Sequence, residues 1–349
     1  MLAAIREARR SIHLETYLLR DDRVGRDFAA ALSAAVSRGV EVRVLYDGLS
    51  AVLRGGAVRR AMRQAGVELA AFNPLREVLR GRSPRVRDHR KLLIVDAEIG
   101  FVGGLNIGEE YDGAAAVECP EEETGWRDTE LALRGPVVTT LTRLFARAWN
   151  RTRVGRRSPL ALREEVPARG LTVIADGERL RERHTRNALV ALLDASRESA
   201  LLTTPYFLPD RRLRRALARA ALRGVRVELL TAGRSDHPWI LRAARAELPS
   251  LLRRGVRVWL YDAAMLHAKV ALFDARIALV GTSNLDRQSL HRNLEVNLRI
   301  EGDPAVLALL RGFERDRTRS LELSLQDAAR RRVWDRILDE LCRLASRLV

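Results

Sequence analysis

Lysine is almost absent from this chain of 349 residues. Among 62 lysine and arginine residues only two are lysines, Lys91 and Lys269. Each lies two residues after a histidine and five before an aspartate. An arginine carries its charge on a wide planar guanidinium, whereas a lysine presents a compact point charge. The two retained lysines therefore indicate two positions at which a small cation is required.

Cysteine and long apolar runs are also scarce. The two cysteines, Cys119 and Cys342, are too few for a disulfide framework or a cysteine-rich zinc site. Because no run of about 18 apolar residues occurs, we expect no transmembrane helix, and we expect no signal peptide. The chain opens directly in a helical pattern, MLAAIREARR, which suggests that an upstream segment is missing.

Acidic residues are outnumbered, and the formal net charge is +17. Such a surplus predicts an acidic partner, either nucleic acid or an anionic membrane surface. Aromatic residues make up only 5% of the chain, and no basic stripe with interleaved aromatics is present to stack on bases. Nucleic acid therefore ranks below an anionic phospholipid membrane as the expected partner.

One stretch of the sequence occurs twice. Residues 89–108, HRKLLIVDAEIGFVGGLNIG, correspond to residues 267–286, HAKVALFDARIALVGTSNLD. Five positions recur at a constant offset of 178, so the motif carries no insertion. The pairs are His89 and His267, Lys91 and Lys269, Asp96 and Asp274, Gly103 and Gly281, and Asn106 and Asn284. The chain is therefore predicted to be an internal duplication.

The order of predicted strands and helices repeats as well. Buried strands such as 40–46 follow helical segments that end on glycine. This alternation predicts an α/β fold with mostly parallel or mixed sheets flanked by helices. We expect two halves related by a pseudo-twofold axis, residues 1–150 and 186–349, joined by a linker over residues 151–185. Residues 327–349 have the apolar stripe of an amphipathic helix, and mixed charge on its polar side favours docking on the core over binding at a membrane surface.

Both copies of the motif carry groups suited to attack on a phosphodiester. A strand is predicted over 89–95, and residues two apart in a strand share a face, so each histidine and its lysine point the same way. If the halves pack with the motif ends adjacent, two imidazoles and two ammonium groups meet in one cleft. One neutral imidazole then attacks phosphorus, and the other, protonated, supplies a proton to the departing alkoxide. The lysines, Asn106 and Asn284 are expected to stabilise charge on the phosphate oxygens.

Carboxylates are expected to hold the two histidines in different protonation states. Glu130, Asp128 and Glu295 are the candidates, and the similarity of residues 129–136 to residues 294–304 places Glu130 opposite Glu295. Asp96 and Asp274 belong to the catalytic motif, but their position at predicted strand ends favours a structural role. This mechanism requires no cofactor and no metal, and no His, Asp, Glu or Cys spacing resembles a metal site.

The paired HxKxxxxD signature resembles that of the phospholipase D superfamily. Flanking phrases are similar to its bacterial cardiolipin synthase branch, and the resemblance covers nearly the whole chain. These phrases are WRDT at 126–129, TPYFLPD at 204–210, SDHP at 235–238 and GTSNLDRQSLHRNLE at 281–295. Two details depart from the family pattern. Thr282 stands where the family commonly has serine, and Arg287 is shifted by one position relative to the family's DxRS phrase.

The resemblance implies one active site built from both motifs, with His89 as the nucleophile and His267 as the acid and base. The implied reaction is phosphatidyl transfer, in which one phosphatidylglycerol donates to a histidine, a second accepts, and glycerol leaves. The implied location is the bacterial cytoplasmic membrane, bound peripherally. Hydrolysis of phospholipid or nucleic acid by the same groups is the alternative, since water as acceptor needs no change in the motif. A non-enzymatic basic scaffold ranks last, and the sequence gives no indication of the oligomeric state.

Overall fold

The computed structural model of the protein describes residues 1–50, 56–81, 83, 86–112, 125–152, 170–177, 183–330 and 333–345. Cys119, most of the predicted linker and the last four residues lie outside this part of the chain. Within the described residues, none of the helices combines the length and the apolar composition that crossing a bilayer requires.

The first half forms a six-stranded sheet. Its strands are β1 (Ser11–Thr16), β2 (Glu41–Asp47), β3 (Glu68–Phe72), β4 (Leu92–Val95), β5 (Ile99–Gly103) and β6 (Glu130–Arg134). Its helices are α1 (Leu2–Glu7), α2 (Arg23–Ser37), α3 (Gly56–Gln64), α4 (Leu75–Leu79) and α5 (Val137–Arg151). The order across the sheet is β3-β2-β1-β4-β5-β6, with the first three strands parallel and the last three antiparallel.

The second half repeats this plan in an eight-stranded sheet. The eight strands of this sheet are β7 (Leu171–Asp176), β8 (Ser199–Thr204), β10 (Arg226–Ala232), β11 (Arg257–Tyr261), β12 (Val270–Phe273), β13 (Ile277–Gly281), β15 (Glu295–Glu301) and β16 (Ser320–Glu322). Two short strands, β9 (Phe207–Leu208) and β14 (Leu285–Asp286), form a separate pair. Its helices are α6 (His184–Ala195), α7 (Arg211–Leu222), α8 (Pro238–Leu252), α9 (Arg287–His291), α10 (Pro304–Thr318), α11 (Leu325–Ala329) and α12 (Val333–Ala345). The order is β16-β11-β10-β8-β12-β13-β15-β7.

Helix α2 shows how the sequence sets the local structure. The side chain of Asp22 accepts the backbone N–H of Gly25 at 2.8 Å, which satisfies one of the free amides at the start of the helix. Phe28, Leu32 and Ala35 recur at helical spacing and are buried against the sheet in one apolar cluster. The helix ends just before Gly39, which adopts a φ of +85° that other residues rarely tolerate.

The two sheets face each other across a shared core. One apolar cluster contains Leu92 and Phe145 of the first half together with Leu272, Val280 and Phe313 of the second. Both motif strands, β4 and β12, contribute to this cluster, so the two halves pack with their motifs side by side. The sheets continue into separate clusters on their outer sides, beneath α2 in the first half and α7 in the second.

The predicted α/β class with two similar halves is confirmed, and both sheets are mixed rather than mostly parallel. The reason is that β4 and β12 run antiparallel to β1 and β8, and each is followed by an antiparallel neighbour across a short turn. Within the two large sheets, the parallel pairs are those whose strands are connected through a helix. The limits of the two halves stay predictions. β7 falls inside the predicted linker and pairs with β15 along its length.

Candidate active site

His89 lies in an extended segment that leads into β4. Its backbone N–H donates to the carbonyl oxygen of Leu294 in the second half, 3.0 Å away, so the strand of the first sheet begins only at Leu92 and not at residue 89 as predicted. Its Nδ1 lies 3.0 Å and 3.1 Å from the two carboxylate oxygens of Glu295, which is fully buried at the start of β15. The hydroxyl of Thr282 donates to the same carboxylate. These bonds fix the orientation of the imidazole through Nδ1.

His267 is held in the mirrored way. Its backbone N–H donates to the carbonyl oxygen of Arg127 in the first half at 2.7 Å. Its Nδ1 lies 2.6 Å from a carboxylate oxygen of Asp128, and Asp128 also accepts the N–H of Thr129 at 2.7 Å. Each histidine is therefore oriented by a buried carboxylate that belongs to the opposite half. Sequence reasoning named both carboxylates as candidates.

The two lysines lie next to the histidines of their own motifs. Lys91 Nζ donates to the carbonyl oxygen of His89 at 2.7 Å. Lys269 Nζ lies 2.8 Å from His267 Nδ1 and also donates to the carbonyl oxygen of His267. Burial lowers the pKa of Lys91 to about 7 and the pKa of Lys269 to about 8. Each ammonium group has three N–H bonds and uses at least one of them on a histidine carbonyl oxygen, so at most two remain for an anion that enters the cleft.

The same burial separates the protonation states of the two histidine–carboxylate pairs. Burial raises the pKa of Glu295 to about 7, whereas the charges of Lys269 and His267 outweigh burial and hold the pKa of Asp128 below its usual value. Burial and then the lysine charges lower the pKa of His89 well below its usual value, and they lower the pKa of His267 to about 4. Asp128 is therefore ionised at neutral pH. When His267 is protonated, the negative charge of Asp128 balances it.

A buried arginine ties the two halves together at this point. Arg90, between the histidine and the lysine of the first motif, is completely buried. Its guanidinium donates to the backbone carbonyl oxygens of Glu295 at 3.3 Å and Asp176 at 3.2 Å, and it lies 3.9 Å from Glu15. The corresponding residue of the second motif is Ala268, so this link exists on one side only. Sequence reasoning gave no role to Arg90, although its position inside the motif was a signal.

Aromatic side chains line the cleft on both sides. The ring of Tyr17 meets His89 edge-on at a centroid distance of 5.1 Å. Tyr111 and Trp126 lie 5.4 Å and 5.3 Å from the ring of His267. These rings restrict water around the imidazoles and contribute to the burial that lowers their pKa values. The sequence singled out Trp126 within the WRDT phrase but gave no indication of the two tyrosines.

A family model described as "Cardiolipin synthase, PLD-like domain" matches residues 1–112 and 189–317, which include both motifs. The chain belongs to this cardiolipin synthase family of the phospholipase D superfamily. It is accordingly an enzyme of the phosphatidyltransferase class.

Known proteins similar to the chain agree with this membership. A cardiolipin synthase of Halalkalibacterium halodurans is 35% identical over 99% of this chain and 69% of its own length. A cardiolipin synthase of Geobacillus kaustophilus is 34% identical over the whole of this chain and 70% of its own length. The crystal structure of phosphatidylserine synthase from Haemophilus influenzae superposes with a TM-score of 0.74 at 14% identity, covering 99% of this chain and 91% of that one. At that identity the superposition shows a shared fold.

The two motif asparagines of this family member differ in what they contact. Asn106 accepts the backbone N–H of Leu18 at 3.1 Å and donates to the hydroxyl oxygen of Tyr111 at 2.8 Å. Asn284 bonds the side chain of Asp286, and its Oδ1 is buried without a hydrogen-bond partner in the described part of the chain. Asn106 thus holds the aromatic wall beside His267. A role of the two asparagines in stabilising phosphate charge stays a prediction.

Glu130 does not reach either histidine in the structure, which corrects its predicted role and its placement opposite Glu295. The motif glycines show why, because Gly103 pairs with Glu130 while Gly281 pairs with Asn297. Glu130 is therefore the counterpart of Asn297, and both accept the backbone N–H two residues after the glycine, at 3.4 Å. The sequence comparison aligned Glu130 with Glu295, which is wrong by two residues.

Asp96 and Asp274 lie away from the cleft, contrary to their inclusion in the catalytic set. Each begins the turn after its motif strand with a positive φ, 54° and 50° respectively. The carboxylate of Asp96 accepts the backbone N–H groups of residues 9, 10 and 11 at 2.9, 2.7 and 2.9 Å. Asp274 accepts those of residues 197, 198 and 199 in the same manner. The motif aspartates fasten the start of β1 and β8 to the motif hairpin.

Replacement of Asp96 by alanine should lower stability and leave catalysis nearly unchanged. The substitution removes three hydrogen bonds to backbone amides and leaves an alanine in a left-handed conformation, which together should lower the free energy of unfolding by about 1–3 kcal/mol. Urea unfolding followed by circular dichroism measures the change, and kcat is measured in parallel on the folded protein. A fall in kcat of about a hundredfold or more without loss of stability would return Asp96 to the chemistry.

Proposed function

We propose that this family member joins two phosphatidylglycerol molecules to give cardiolipin and glycerol, through a phosphohistidine intermediate on His89. The observation that carries the proposal is the reciprocal pairing of two buried histidines, each with a carboxylate from the other half, beside two buried lysines. This arrangement supplies a nucleophile, an acid and a cationic cradle at one place, which are the requirements of phosphoryl transfer by double displacement.

In the first step, Nε2 of His89 attacks phosphorus of the donor lipid. A P–N bond forms as the P–O bond to the glycerol head group breaks. His267, protonated on Nε2 and balanced by Asp128, gives its proton to the departing glycerol oxygen. Free glycerol leaves, and the phosphatidyl group remains on His89.

In the second step, His267 is neutral and accepts the proton of a head-group hydroxyl on a second phosphatidylglycerol. The oxygen attacks phosphorus, the P–N bond breaks, and cardiolipin leaves with His89 restored. Water in the place of the second lipid would give phosphatidic acid by the same path. The ammonium groups of Lys91 and Lys269 offset the negative charge on the non-bridging oxygens in both steps.

The low pKa of His267 is compatible with its role as an acid. Burial of the imidazole disfavours its charged form, and the two ammonium groups beside it disfavour a third positive charge. A bound phosphodiester brings a negative charge into the cluster and raises the pKa of His267. The acid is therefore charged by the arrival of the substrate beside the ionised Asp128. The raised pKa of Glu295 gives His89 less counter-charge and favours its neutral, nucleophilic form.

The substrate class also implies where the protein acts. We propose that it binds peripherally to the cytoplasmic membrane, with phosphatidylglycerol as its lipid partner. The net charge of +17 suits an anionic lipid surface, where each basic residue near the surface contributes about 1 kcal/mol. No group of three or more His, Cys, Asp or Glu residues able to hold a metal ion occurs in the described residues. The proposed steps use protein side chains alone.

Lipid product analysis on phosphatidylglycerol vesicles with EDTA tests the proposal. The wild-type chain should produce cardiolipin and glycerol in equal amounts, and the variants His89→Ala and His267→Ala should lose at least about 10³-fold in rate. Phosphatidic acid without cardiolipin would show a hydrolase instead. Activity abolished by EDTA would contradict the metal-free steps, and digestion of plasmid DNA in place of lipid would show a nuclease.

A further inference from the structure

Helix α12 docks on the second half through its polar side. Asp339 is buried and lies 3.3 Å from the guanidinium of Arg242 on α8. One turn further along, Arg343 lies 3.4 Å from the carboxylate of Glu247, also on α8. An amphipathic helix on a globular core normally turns its apolar stripe inward. Here ion pairs occupy the inner side, so the predicted docking of this segment occurs, but with the opposite face.

The apolar stripe of α12 consequently faces outward. Trp334 is 80% exposed and Leu341 is 56% exposed. The residues that form this α12 apolar face are Trp334, Ile337, Leu338, Leu341 and Leu344. They follow helical spacing along three turns, so they make one continuous strip rather than scattered contacts. Strips of this kind mark a surface that meets another apolar phase.

A groove continues the strip towards the core. Its volume is about 850 Å³, and it lies between α8, α12 and the strands β11 and β16 at one edge of the sheet. Its walls carry the apolar side chains of Leu248, Leu260, Leu323 and Ile337 together with Arg245, Arg253 and Arg336. Asp339 and Glu340 also line it, but their carboxylates are paired with Arg242 and Arg343. Apolar walls beside positive charge match the two parts of an anionic amphiphile.

The strip begins at the end of the molecule that carries the active site. The ion pairs of Arg242 with Asp335 and of Glu247 with Arg343 show that α8 and α12 run in the same direction. Just before α8, Asp236 accepts the hydroxyl of Tyr206 at 2.5 Å, and its charge acts on Lys269 in the cleft. The first residues of α12 therefore lie on the same side as the catalytic lysine.

We propose that the α12 apolar face and the adjoining groove are the surface through which the protein sits on an anionic phospholipid bilayer. The inference rests on the proposed function, because a lipid substrate requires contact with a lipid surface. An amphipathic helix that lies in the plane of the interface buries its apolar side among the acyl chains. Arg253 and Arg336 at the groove and a net charge of +17 favour anionic head groups over a second copy of the same basic chain. Contact at this face brings the cleft to the membrane, so a donor lipid reaches His89 without leaving the bilayer.

Vesicle flotation with the full chain tests the surface directly. On phosphatidylglycerol vesicles, the double variant Trp334→Asp and Leu341→Asp should bind about tenfold or more weakly, because two charges enter the apolar face. Leu222→Asp is the matched control, since Leu222 on α7 is 78% exposed and lies outside the face. It should bind as the wild type does. Equal binding by all three proteins, or no binding of the wild type, would overturn the proposal.

Tryptophan fluorescence gives a second readout that does not depend on a charged substitution. Emission of the wild type should shift to the blue on phosphatidylglycerol vesicles and be quenched by lipids brominated in the acyl chain. Trp334→Phe should lose most of the shift and the quenching. The same quenching in wild type and Trp334→Phe would place the lipid contact elsewhere.

Activity on two physical forms of the substrate separates failure of the surface from failure of the proposed reaction. The ratio of turnover on vesicles to turnover on monomeric dihexanoyl phosphatidylglycerol should fall about tenfold in the double variant and stay unchanged in Leu222→Asp. If the wild type turns over neither form, the proposed reaction fails and flotation alone decides the surface. A solution mass of two chains that drops to one in the double variant would show a dimer interface and overturn the membrane assignment.

Discussion

His267→Ala is expected to release one equivalent of p-nitrophenol from phosphatidyl-p-nitrophenol and then to stop. The leaving group departs without a proton, so the first step no longer needs an acid, and Nε2 of His89 still attacks phosphorus. The second step needs a base to accept the proton of the incoming alcohol, and with His267 removed that proton has no acceptor. The phosphatidyl group should therefore remain on His89. Stopped-flow absorbance measures the burst, and trapping of radiolabelled lipid on the protein measures the intermediate.

The assignment of roles can be checked with the mirrored variant. His89→Ala should give no burst with the same substrate, and His184→Ala, which changes a histidine outside the cleft, should turn over at the wild-type rate. A burst in His89→Ala instead would exchange the nucleophile and the base. Continuous turnover in His267→Ala would mean that another group carries the proton.

Lys91→Arg and Lys269→Arg should each reduce kcat by about 10²–10³-fold even though the positive charge is kept. Both ammonium groups are buried next to histidine backbone, where the larger planar guanidinium cannot fit without moving the imidazole. The wild-type kcat/KM, which reports the protonation of the free enzyme, should also fall as pH rises through about 7 to 8, since the lowered pKa values mean that the lysines lose their charge there. Steady-state kinetics across pH measures both effects.

The matched control is Arg26→Lys, an exposed exchange on α2 that should leave kcat unchanged. Wild-type activity in either lysine variant would show that only net charge matters at that position. It would also mean that the two lysines are not retained because a small cation is required there.

The paired motifs could be predicted from the sequence because the duplication keeps one offset through both of them. That offset identifies His89 and His267 with their lysines, and the fold brings all four groups to one cleft. The structural role favoured for Asp96 also follows from its position after a strand.

Other features depend on contacts that a linear comparison does not contain. The register of β6 against β5 decides that Asp128, and not Glu130, reaches a histidine, and that register is set by Gly103 opposite Glu130. The aromatic walls come from Tyr17 and Tyr111, which lie on segments without any repeated pattern. The outward apolar face of α12 follows from the ion pair between Asp339 and Arg242, and periodicity gives a stripe without saying which way it faces.

Each histidine takes its backbone partner and its carboxylate from the opposite half, so neither half holds a finished catalytic pair. During synthesis, a chain that has folded only its first half carries His89 without Glu295, and Asp128 without His267. Reactivity towards phosphodiesters therefore appears in a single event, when the second half docks. We therefore expect a partly made or locally opened chain to lack this reactivity.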